Sequence, residues 1–208
     1  MGPRKVASKT DGKASGIPIR QATAADAAEV SMVLAEAFYS DPLFVWEFPD
    51  DTARPRILRA MFAHVAEHVY LPAGVSALCE NGAALWQPPG VQLDKQVEPG
   101  QAGAFVKAVE GQIERLMSLV AVLDEAHPVE PHWYLPMIGV RPTAQGKGIG
   151  SRLLEFTLNQ IDEQGDAAYL EATSPLNAAL YARHGFEVVG ELKVADGPPL
   201  FPMWRKPA

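Results

Sequence analysis

The sequence predicts a mixed α/β fold in one domain over residues 17–208. Segments with apolar residues at helical spacing alternate with short strand-like apolar runs, a pattern that favours helices packed on a mixed sheet. With 48% hydrophobic and 21% charged residues, the composition is that of an ordinary globular protein. A length of 208 residues accommodates one full domain and leaves little room for a second.

Strands and helices are predicted along the whole of this domain. Period-two alternation and β-branched or aromatic content predict strands at residues 17–22, 75–80, 83–87, 133–140, 167–173, 186–192 and 200–204. Apolar residues recurring every three or four positions predict helices at about residues 23–41, 54–70, 105–123, 149–165 and 175–184.

Local signals mark several ends of these elements. Thr23 and Asp26 resemble a capping box that opens the first helix. Pro42 cannot continue that helix and therefore ends it. Asn81-Gly82 lies between two strand-like runs and predicts a hairpin with a type I′ turn.

Three segments are assigned to loops or tails. Residues 1–16 are polar, lack an apolar signal region and are predicted to be a disordered tail. Residues 43–51 are predicted to be an aromatic, acidic loop whose rings either fill a core edge or line a pocket. Residues 91–100 are predicted to be a further loop.

A glycine-rich turn at residues 140–151 is the strongest local signal in the chain. Gly146, Gly148 and Gly150 lie between a buried strand and a helix. The first turn of a helix has amides without intrahelical partners and partial positive charge, and glycines let a ligand approach them. The turn therefore predicts a pocket for an anionic group such as phosphate, although a turn without a ligand is the alternative. The spacing matches neither a Walker A loop nor a dinucleotide fingerprint.

Composition and charge narrow the class of protein. The net charge of −7 argues against nucleic acid and mildly favours cationic acceptors, unless the charge serves solubility alone. No apolar run reaches the ~18 residues that span a bilayer, so no membrane partner is expected. Cys79 is the single cysteine, which excludes an intrachain disulfide and fits a cytoplasmic protein. His64 and His68 share a helix face, but two histidines do not make a zinc site, and no metal is expected.

Two motifs in the C-terminal half together resemble the GNAT superfamily of acyl-CoA-dependent N-acetyltransferases. The run Gln145-Gly146-Lys147-Gly148-Ile149-Gly150 matches the family's Gln/Arg-x-x-Gly-x-Gly/Ala signature. Leu180-Tyr181 followed by Gly185-Phe186 matches its Leu-Tyr…Gly-Phe ending. The strand that carries Glu171 lies between them, and the resemblance covers residues 17–205.

Shorter runs resemble one branch of this superfamily, that of puromycin N-acetyltransferase. They are Glu130-Pro131-His132-Trp133-Tyr134-Leu135, Leu170-Glu171-Ala172-Thr173 and Arg205-Lys206-Pro207. The resemblance implies membership of the branch and does not identify puromycin as the substrate.

The resemblance also implies how acetyl-CoA, the expected cosubstrate, is bound. Backbone groups of Ile138, Gly139 and Val140 are expected to bind the pantetheine arm like an added strand. The pyrophosphate is expected to bind the amides of Gln145, Gly146, Lys147, Gly148, Ile149, Gly150 and Ser151. The Lys147 ammonium either adds a point charge or is merely solvated.

Two further residues bear on the site. Pro136 cannot donate to a sheet ladder, so its strand must be an edge or carry a bulge there, consistent with the splayed central strands of the family. Asn177 lies four residues before Tyr181, where many family members have seven. Asn177 is therefore expected either to contact coenzyme A or to cap a helix.

The expected chemistry is direct attack of an amine on a thioester through a tetrahedral intermediate. A free alkyl amine is mostly protonated at neutral pH, so a base is useful. Glu171 is the candidate base, directly or through water, with a paired structural glutamate as the alternative. By resemblance, Tyr181 protonates or hydrogen-bonds the thiolate, with a packing role as the alternative. The amide near Ile138 is expected to polarise the thioester carbonyl.

The sequence therefore predicts an acetyl-CoA-dependent N-acetyltransferase that acts on a primary amine of a small molecule or peptide. A non-catalytic acyl-CoA sensor and an unrelated nucleotide-binding module are the alternatives. The oligomeric state stays open, a homodimer included. Candidate residues for the acceptor pocket are Asp41, Trp46, Glu47, Trp86 and Trp133.

Overall fold

A mixed seven-stranded sheet is the centre of the fold. The computed structural model describes residues 17–72, 75–91, 103, 105–107, 109 and 112–207. Within these residues the strand order is β1-β2-β3-β4-β5-β7-β6. The strands are β1 (Arg20–Gln21), β2 (Ser76–Cys79), β3 (Gly82–Gln87), β4 (Trp133–Val140), β5 (Ala168–Ala172), β6 (Glu187–Val188) and β7 (Phe201–Arg205). The predicted mixed α/β fold is confirmed.

Helices cover both faces of this sheet. They are α1 (Ala27–Phe38), α2 (Pro42–Glu47), α3 (Arg54–Val65), α4 (Ile113–Ala126), α5 (Ile149–Gln164) and α6 (Pro175–Ala182). A 3-10 turn, Ala24–Asp26, leads into α1, and a π-helical turn, Ala66–Tyr70, extends α3. The predicted disordered tail at residues 1–16 and all but the first residue of the predicted loop at 91–100 lie outside the described residues.

The predicted loop at residues 43–51 is wrong in its first half, which forms α2. Pro42 ends α1 but is also the first residue of α2, where its missing amide costs nothing. The Asp41 carboxylate caps α2 by accepting a 3.0 Å hydrogen bond from the amide of Leu43. Phe44 and Phe48 are buried, so these rings fill the core rather than a pocket.

The predicted type I′ turn at Asn81-Gly82 is also wrong, although the hairpin is present. Gly82 pairs with Cys79, so Gly82 belongs to β3 and the turn lies one residue earlier. Neither Asn81 nor Gly82 has a positive φ. Gly82 is needed in the strand because a Cβ there would lie 2.8 Å from Leu153 of α5.

Two predicted strands are shorter in the structure, and one predicted helix is interrupted. β1 and β6 are the two edges of the sheet, and each has two residues in the ladder. In the helix predicted at 105–123, residues 105–107 are helical, and α4 then begins at Ile113. Gln112 has a non-helical ψ of 23° there, and its amide bonds the carbonyl of Val109, a fully buried residue.

The central strands β4 and β5 run parallel and separate after two residue pairs. The ladder joins Trp133 to Ala168 and Tyr134 to Tyr169, and no further pair follows. On its other side, β4 carries a register shift opposite β3, at Pro136. Since proline cannot donate to a ladder, the bulge occurs where the sequence predicts it, and the separation from β5 agrees with the splayed strands that the resemblance implies.

Two core clusters lie on opposite faces of the sheet. The α5 face buries Ala168, Leu170 and Ala172 of β5, whereas Tyr169 and Glu171 of β5 do not belong to this face. On the other face, α1 approaches β4 closely because β4 has a glycine there. A Cβ on Gly139 would lie 2.7 Å from the Cβ of Ala37.

Candidate active site

A cavity of about 490 Å³ lies where β4 and β5 separate. Its walls come from α1, β4, the glycine turn, β5 and α6. Of the candidate site residues predicted from the sequence, it is lined by Asp41, Ile138, Gly139, Val140, Gln145, Gly146, Gly148, Ile149, Gly150, Ser151, Glu171, Asn177 and Tyr181. Lys147 is not part of the lining, and its ammonium donates a 3.1 Å hydrogen bond to the Thr143 carbonyl.

The glycine turn presents backbone amides to this cavity. Gly146 and Gly148 have φ values of 73° and 78°, a left-handed conformation that favours glycine. Gly148 is the N-cap of α5, and no side chain caps the helix there. The first amides of α5 therefore keep their hydrogen-bonding capacity, and the helix dipole adds partial positive charge. These features fit the diphosphate of a coenzyme A molecule.

The edge of β4 that faces β5 is open along the cavity. Beyond Tyr134, no ladder pair joins β4 to β5, and Ile138 to Val140 line the space between them. The side-chain amide of Gln145 donates to the Val140 carbonyl at 3.0 Å and closes the far end of this edge. An extended ligand with amide groups can therefore pair with the free edge as an added strand does.

The Glu171 carboxylate lies at the cavity wall, and among the described residues only one of its two oxygens has a hydrogen-bond partner. Its Oε2 accepts a 2.8 Å hydrogen bond from the Tyr134 hydroxyl. Its Oε1 is buried without a hydrogen-bond partner among the described residues. Burial raises the pKa of Glu171 to about 7, because the charged form loses water, and the hydroxyls of Tyr134 and Tyr169 counteract part of the rise.

Tyr181 lines the cavity from α6 and is 8% exposed. Burial raises the pKa of its phenol above the ordinary value, and the nearby Asp41 charge raises it further. The side chain is therefore protonated at neutral pH and can donate a hydrogen bond or a proton. It also packs edge-on against Phe186, with ring centroids 6.2 Å apart.

A hydrogen-bonded chain joins the start of α2 to α6 along the cavity. The amide of Asn177 donates to the Thr173 hydroxyl at 3.1 Å, and that hydroxyl donates to Asp41 at 2.6 Å. The cap of α6 is Ser174, whose hydroxyl accepts from the Asn177 backbone at 3.2 Å. Asn177 is therefore not a helix cap, which leaves its side chain at the cavity.

The other candidate acceptor residues lie elsewhere. Trp86 and Trp133 belong to the core on the α5 face, and the Trp46 indole donates to Asp196 at 2.9 Å. Glu47 is fully buried outside the lining. The lining also includes Pro136, Ala144 and Leu180, which the sequence had connected with the site through the central strand, the glycine turn and the Leu-Tyr motif. Lining residues that were not predicted are Ala37, Phe38, Leu135, Thr173, Leu176, Ala179 and Arg183. Of these, Thr173 had a signal, because it alternates with Glu171 along β5.

The described part of the chain has neither a metal-binding cluster nor a membrane-spanning helix. No group of three or more histidine, cysteine, aspartate or glutamate side chains is placed to hold a metal ion. No described helix has both the length and the apolar character needed to cross a membrane.

The splayed strands, the uncapped helix N-terminus and the buried acid and phenol define the class of an acyl-CoA-dependent N-acyltransferase. Residues 90–206 match the model of the acetyltransferase (GNAT) domain, and the chain belongs to this family. It is therefore an acetyl-CoA-dependent N-acetyltransferase.

Comparisons with individual proteins agree with this assignment. A Corynebacterium glutamicum protein, described as histone acetyltransferase HPA2 and related acetyltransferase, is 33% identical with a TM-score of 0.69, covering 91% of this chain and 96% of its own. An uncharacterised N-acetyltransferase of Schizosaccharomyces pombe is 25% identical over 184 residues, 80% of this chain and 73% of its own. The polyamine N-acetyltransferase of Drosophila melanogaster shares the fold at 14% identity, with a TM-score of 0.60 over 91% of this chain and 99% of its own.

Proposed function

We propose that the protein transfers the acetyl group of acetyl-CoA to the primary amine of a small molecule or peptide by direct attack through a tetrahedral intermediate. The observation that carries this proposal is that Glu171 and Tyr181 line the same cavity as the glycine turn. A base, an acid and a diphosphate site in one cavity are what amine acetylation from a thioester requires.

The proposed cosubstrate site follows the wall of the cavity. The amides of residues 145–151 hold the pyrophosphate, and the open edge of β4 at residues 138–140 pairs with the pantetheine arm. Asn177 provides a further polar contact from α6. The Lys147 ammonium, which donates to Thr143, contributes charge near the turn rather than a direct contact.

Glu171 is proposed as the base for the acceptor ammonium. A base works best when its pKa lies near the working pH, and burial raises the pKa of Glu171 to about 7. Glu171 removes one proton from the ammonium and passes it to solvent. The neutral nitrogen then forms the C–N bond to the acetyl carbon. An amide near Ile138 stabilises the oxygen that becomes negative.

Tyr181 is proposed as the acid for the leaving thiolate. As the C–S bond breaks, the phenol gives its proton to sulfur and recovers one from the nitrogen that becomes the amide. The balance is one proton released for each acetyl group transferred. The nearby Asp41 charge disfavours a lasting tyrosinate, which suits a phenol that is reprotonated in every cycle.

The proposed acceptor is a small cationic amine. Asp41 and Glu171 are the two carboxylic acids in the lining, and the lining near them includes the apolar side chains of Phe38, Leu135 and Pro136. The Drosophila melanogaster enzyme of the same fold is described as a polyamine N-acetyltransferase that forms N-acetylagmatine. Membership of the puromycin N-acetyltransferase branch, a cytoplasmic location and a homodimer stay predictions.

The experiment that tests the proposal is a thioester-consumption screen with acetyl-CoA. The panel contains agmatine and other alkylamines, amino acids, aminonucleosides and peptides with a free N-terminus. Release of free thiol with at least one amine, together with the acetylated product by mass spectrometry, is the expected result. Calorimetric binding of acetyl-CoA without turnover on any amine would instead favour the sensor. Thermal stabilisation by ATP or NAD but not by acetyl-CoA would favour a nucleotide-binding module.

A further inference from the structure

Three phenols converge on the Glu171 carboxyl from three parts of the fold. Tyr134 of β4 donates the 2.8 Å hydrogen bond, and Tyr169 lies on β5 two residues before Glu171. Tyr70 ends the π-helical turn, and the Glu171 charge raises its pKa after the larger effect of burial. One phenol, that of Tyr134, is thus hydrogen-bonded to the carboxyl, and those of Tyr169 and Tyr70 interact with it electrostatically.

The hydroxyls of Tyr134 and Tyr169 differ in their hydrogen bonding to the Glu171 carboxyl. Tyr134 is bonded to Oε2, whereas the Tyr169 hydroxyl is buried without a hydrogen-bond partner among the described residues. Oε1 of Glu171 is likewise unpartnered. Tyr169 and Glu171 are two residues apart on β5 and therefore project from the same face of the sheet, and Tyr169 lowers the pKa of Glu171. Buried polar atoms are normally paired, so this arrangement has unused capacity for a proton or one water molecule.

Ring packing holds both tyrosines in place. Tyr134 and Tyr169 stack with ring centroids 5.9 Å apart. His127 meets both rings edge-on, at 4.8 and 5.4 Å, and His132 contacts Tyr169 at 5.5 Å. The two imidazoles are themselves 3.2 Å apart through their Nε2 atoms. The tyrosine pair on β4 and β5 is therefore packed against the two histidines that precede β4.

We propose that Tyr134 and Tyr169 are positioning residues that hold Glu171 as the proton acceptor for the amine, with Tyr134 fixing Oε2 and Tyr169 standing beside an Oε1 left open for the transferred proton. This inference rests on the proposed role of Glu171 as the base. It adds the two residues that hold Glu171 in that role. Neither tyrosine lines the cavity, so both act through Glu171 rather than on the substrate.

The physical argument is that a hydroxyl donating to a carboxylate stabilises its charged form. Burial alone disfavours that charge, the titratable groups that lower the pKa of Glu171 are Tyr134 and Tyr169, and Tyr70 is a third phenol close enough for the Glu171 charge to raise its pKa. When the Tyr134 hydroxyl is removed, the charged form of Glu171 loses a stabilising hydrogen bond, and the effect of desolvation on its pKa is opposed less strongly. The pKa of Glu171 then rises and the base is protonated over more of the neutral range.

The test measures the Glu171 titration directly and through catalysis. Infrared difference spectra against Glu171→Gln follow the carboxyl band with pH in the full-length protein, with or without substrate. The pH dependence of kcat/KM is measured in parallel at saturating acetyl-CoA, with the best amine of the screen. The variants are Tyr134→Phe and Tyr169→Phe, and the matched control is Tyr39→Phe, which removes a phenol at the exposed end of α1.

We expect Tyr134→Phe to raise the midpoint of the carboxyl band and of the acidic limb together, by roughly one pH unit. Tyr169→Phe shifts both in the same direction by less, and Tyr39→Phe shifts neither. The second variant has 3-fluorotyrosine at position 134, which preserves the packing. Because its hydroxyl is a more acidic donor, it should lower the midpoint of the carboxyl band and of the acidic limb.

An unshifted carboxyl band in both Tyr134 variants would overturn the proposal, as would a band that moves while the kinetic limb stays in place. The double variant with Glu171→Gln and Tyr134→Phe must show the same acidic limb in its pH profile of kcat/KM as Glu171→Gln alone. Lack of turnover with every amine would contradict the proposed function instead, and the infrared midpoints would then still decide whether the tyrosines act on Glu171.

Discussion

The Thr173 hydroxyl donates a 2.6 Å hydrogen bond to the Asp41 carboxylate, although 132 residues separate the two along the chain. Asp41 begins α2 and Thr173 follows β5, so the bond joins two walls of the cavity. The same hydroxyl accepts from Asn177 of α6. Three separate segments are therefore held together by one side chain at the proposed active site.

We expect Thr173→Val to lower the free energy of unfolding by about 1.5 to 3 kcal/mol, because it removes a hydrogen bond to a charged and largely desolvated group. Val preserves the shape of the side chain, so packing changes little. Thr173→Ser keeps the hydroxyl and is the matched control. Urea unfolding at neutral pH measures both variants, and equal stability of Val and Ser variants would contradict the bond's contribution.

Tyr181→Phe is expected to lower kcat at least tenfold while the KM for acetyl-CoA stays close to wild type. The phenol is proposed to act on the sulfur only as the C–S bond breaks, so its loss affects the chemical step. Initial-rate kinetics with the best amine of the screen measure both constants. Tyr39→Phe serves as the control, and a kcat equal to wild type would remove Tyr181 from the mechanism.

Glu171→Gln is expected to remove the acidic limb from the pH profile of kcat/KM. In the wild type this limb rises through about pH 7, because the base acts only after Glu171 loses its proton and its pKa is about 7. At pH 8 the variant should lose roughly 100-fold or more in rate. Glu171→Asp keeps a carboxyl and should retain a limb. A Gln variant whose limb matches the wild type would identify another base.

Glu47→Gln is expected to weaken the pH dependence of stability. Glu47 is fully buried, both its oxygens lack partners among the described residues, and burial raises its pKa to about 7. Since the folded state binds this proton more tightly, the carboxyl stabilises the fold at low pH, and that contribution falls as pH rises from about 4.5 to 7.

The full contribution is on the order of 3 kcal/mol, so the Gln variant should show a correspondingly shallower fall in unfolding free energy over that window. Denaturant unfolding from pH 4 to 8 measures it. Glu80→Gln, at an exposed position of the β2–β3 turn, is the control. Identical pH profiles for the Glu47 variant and the wild type would show that the carboxyl does not titrate in this range.

Gly148→Ala and Gly165→Ala are a matched pair of variants. Comparing them separates the effect of backbone strain on stability from the effect on acetyl-CoA binding. Their φ values are 78° and 67°, and a Cβ at either position meets no atom within 4 Å. Each substitution should cost about 1 kcal/mol of stability through the left-handed backbone. Only Gly148 lines the cavity, so only its variant should weaken acetyl-CoA binding by calorimetry. Equal affinities in the two variants would argue against the glycine turn as the diphosphate site.

Much of the fold could be predicted because the signals are local. The period of apolar residues identifies α5, and alternation along β5 separates the core side of Leu170 from the opposite side of Glu171. The errors arose where a second contact outweighed the local signal. Asn81-Gly82 favours a turn by itself, but the approach of Leu153 requires Gly82 inside the strand.

Less of the candidate site was predictable. Its backbone part could be inferred, because glycines between a strand and a helix expose amides wherever they occur. The contact between Asp41 and Thr173 could not, because no sequence period relates residues so far apart. The same holds for the two tyrosines that act on Glu171, whose strands become neighbours only in the assembled sheet.

The sequence by itself determined the α/β fold, the glycine turn between a strand and a helix, and the irregularity of β4 at Pro136. These follow from steric limits and missing amide donors, which act over a few residues. The tertiary structure alone decided the pKa values near 7 of Glu47 and Glu171 and the position of Tyr181 beside Asp41. Burial and charge depend on which segments surround a group, and only the folded chain brings those segments together.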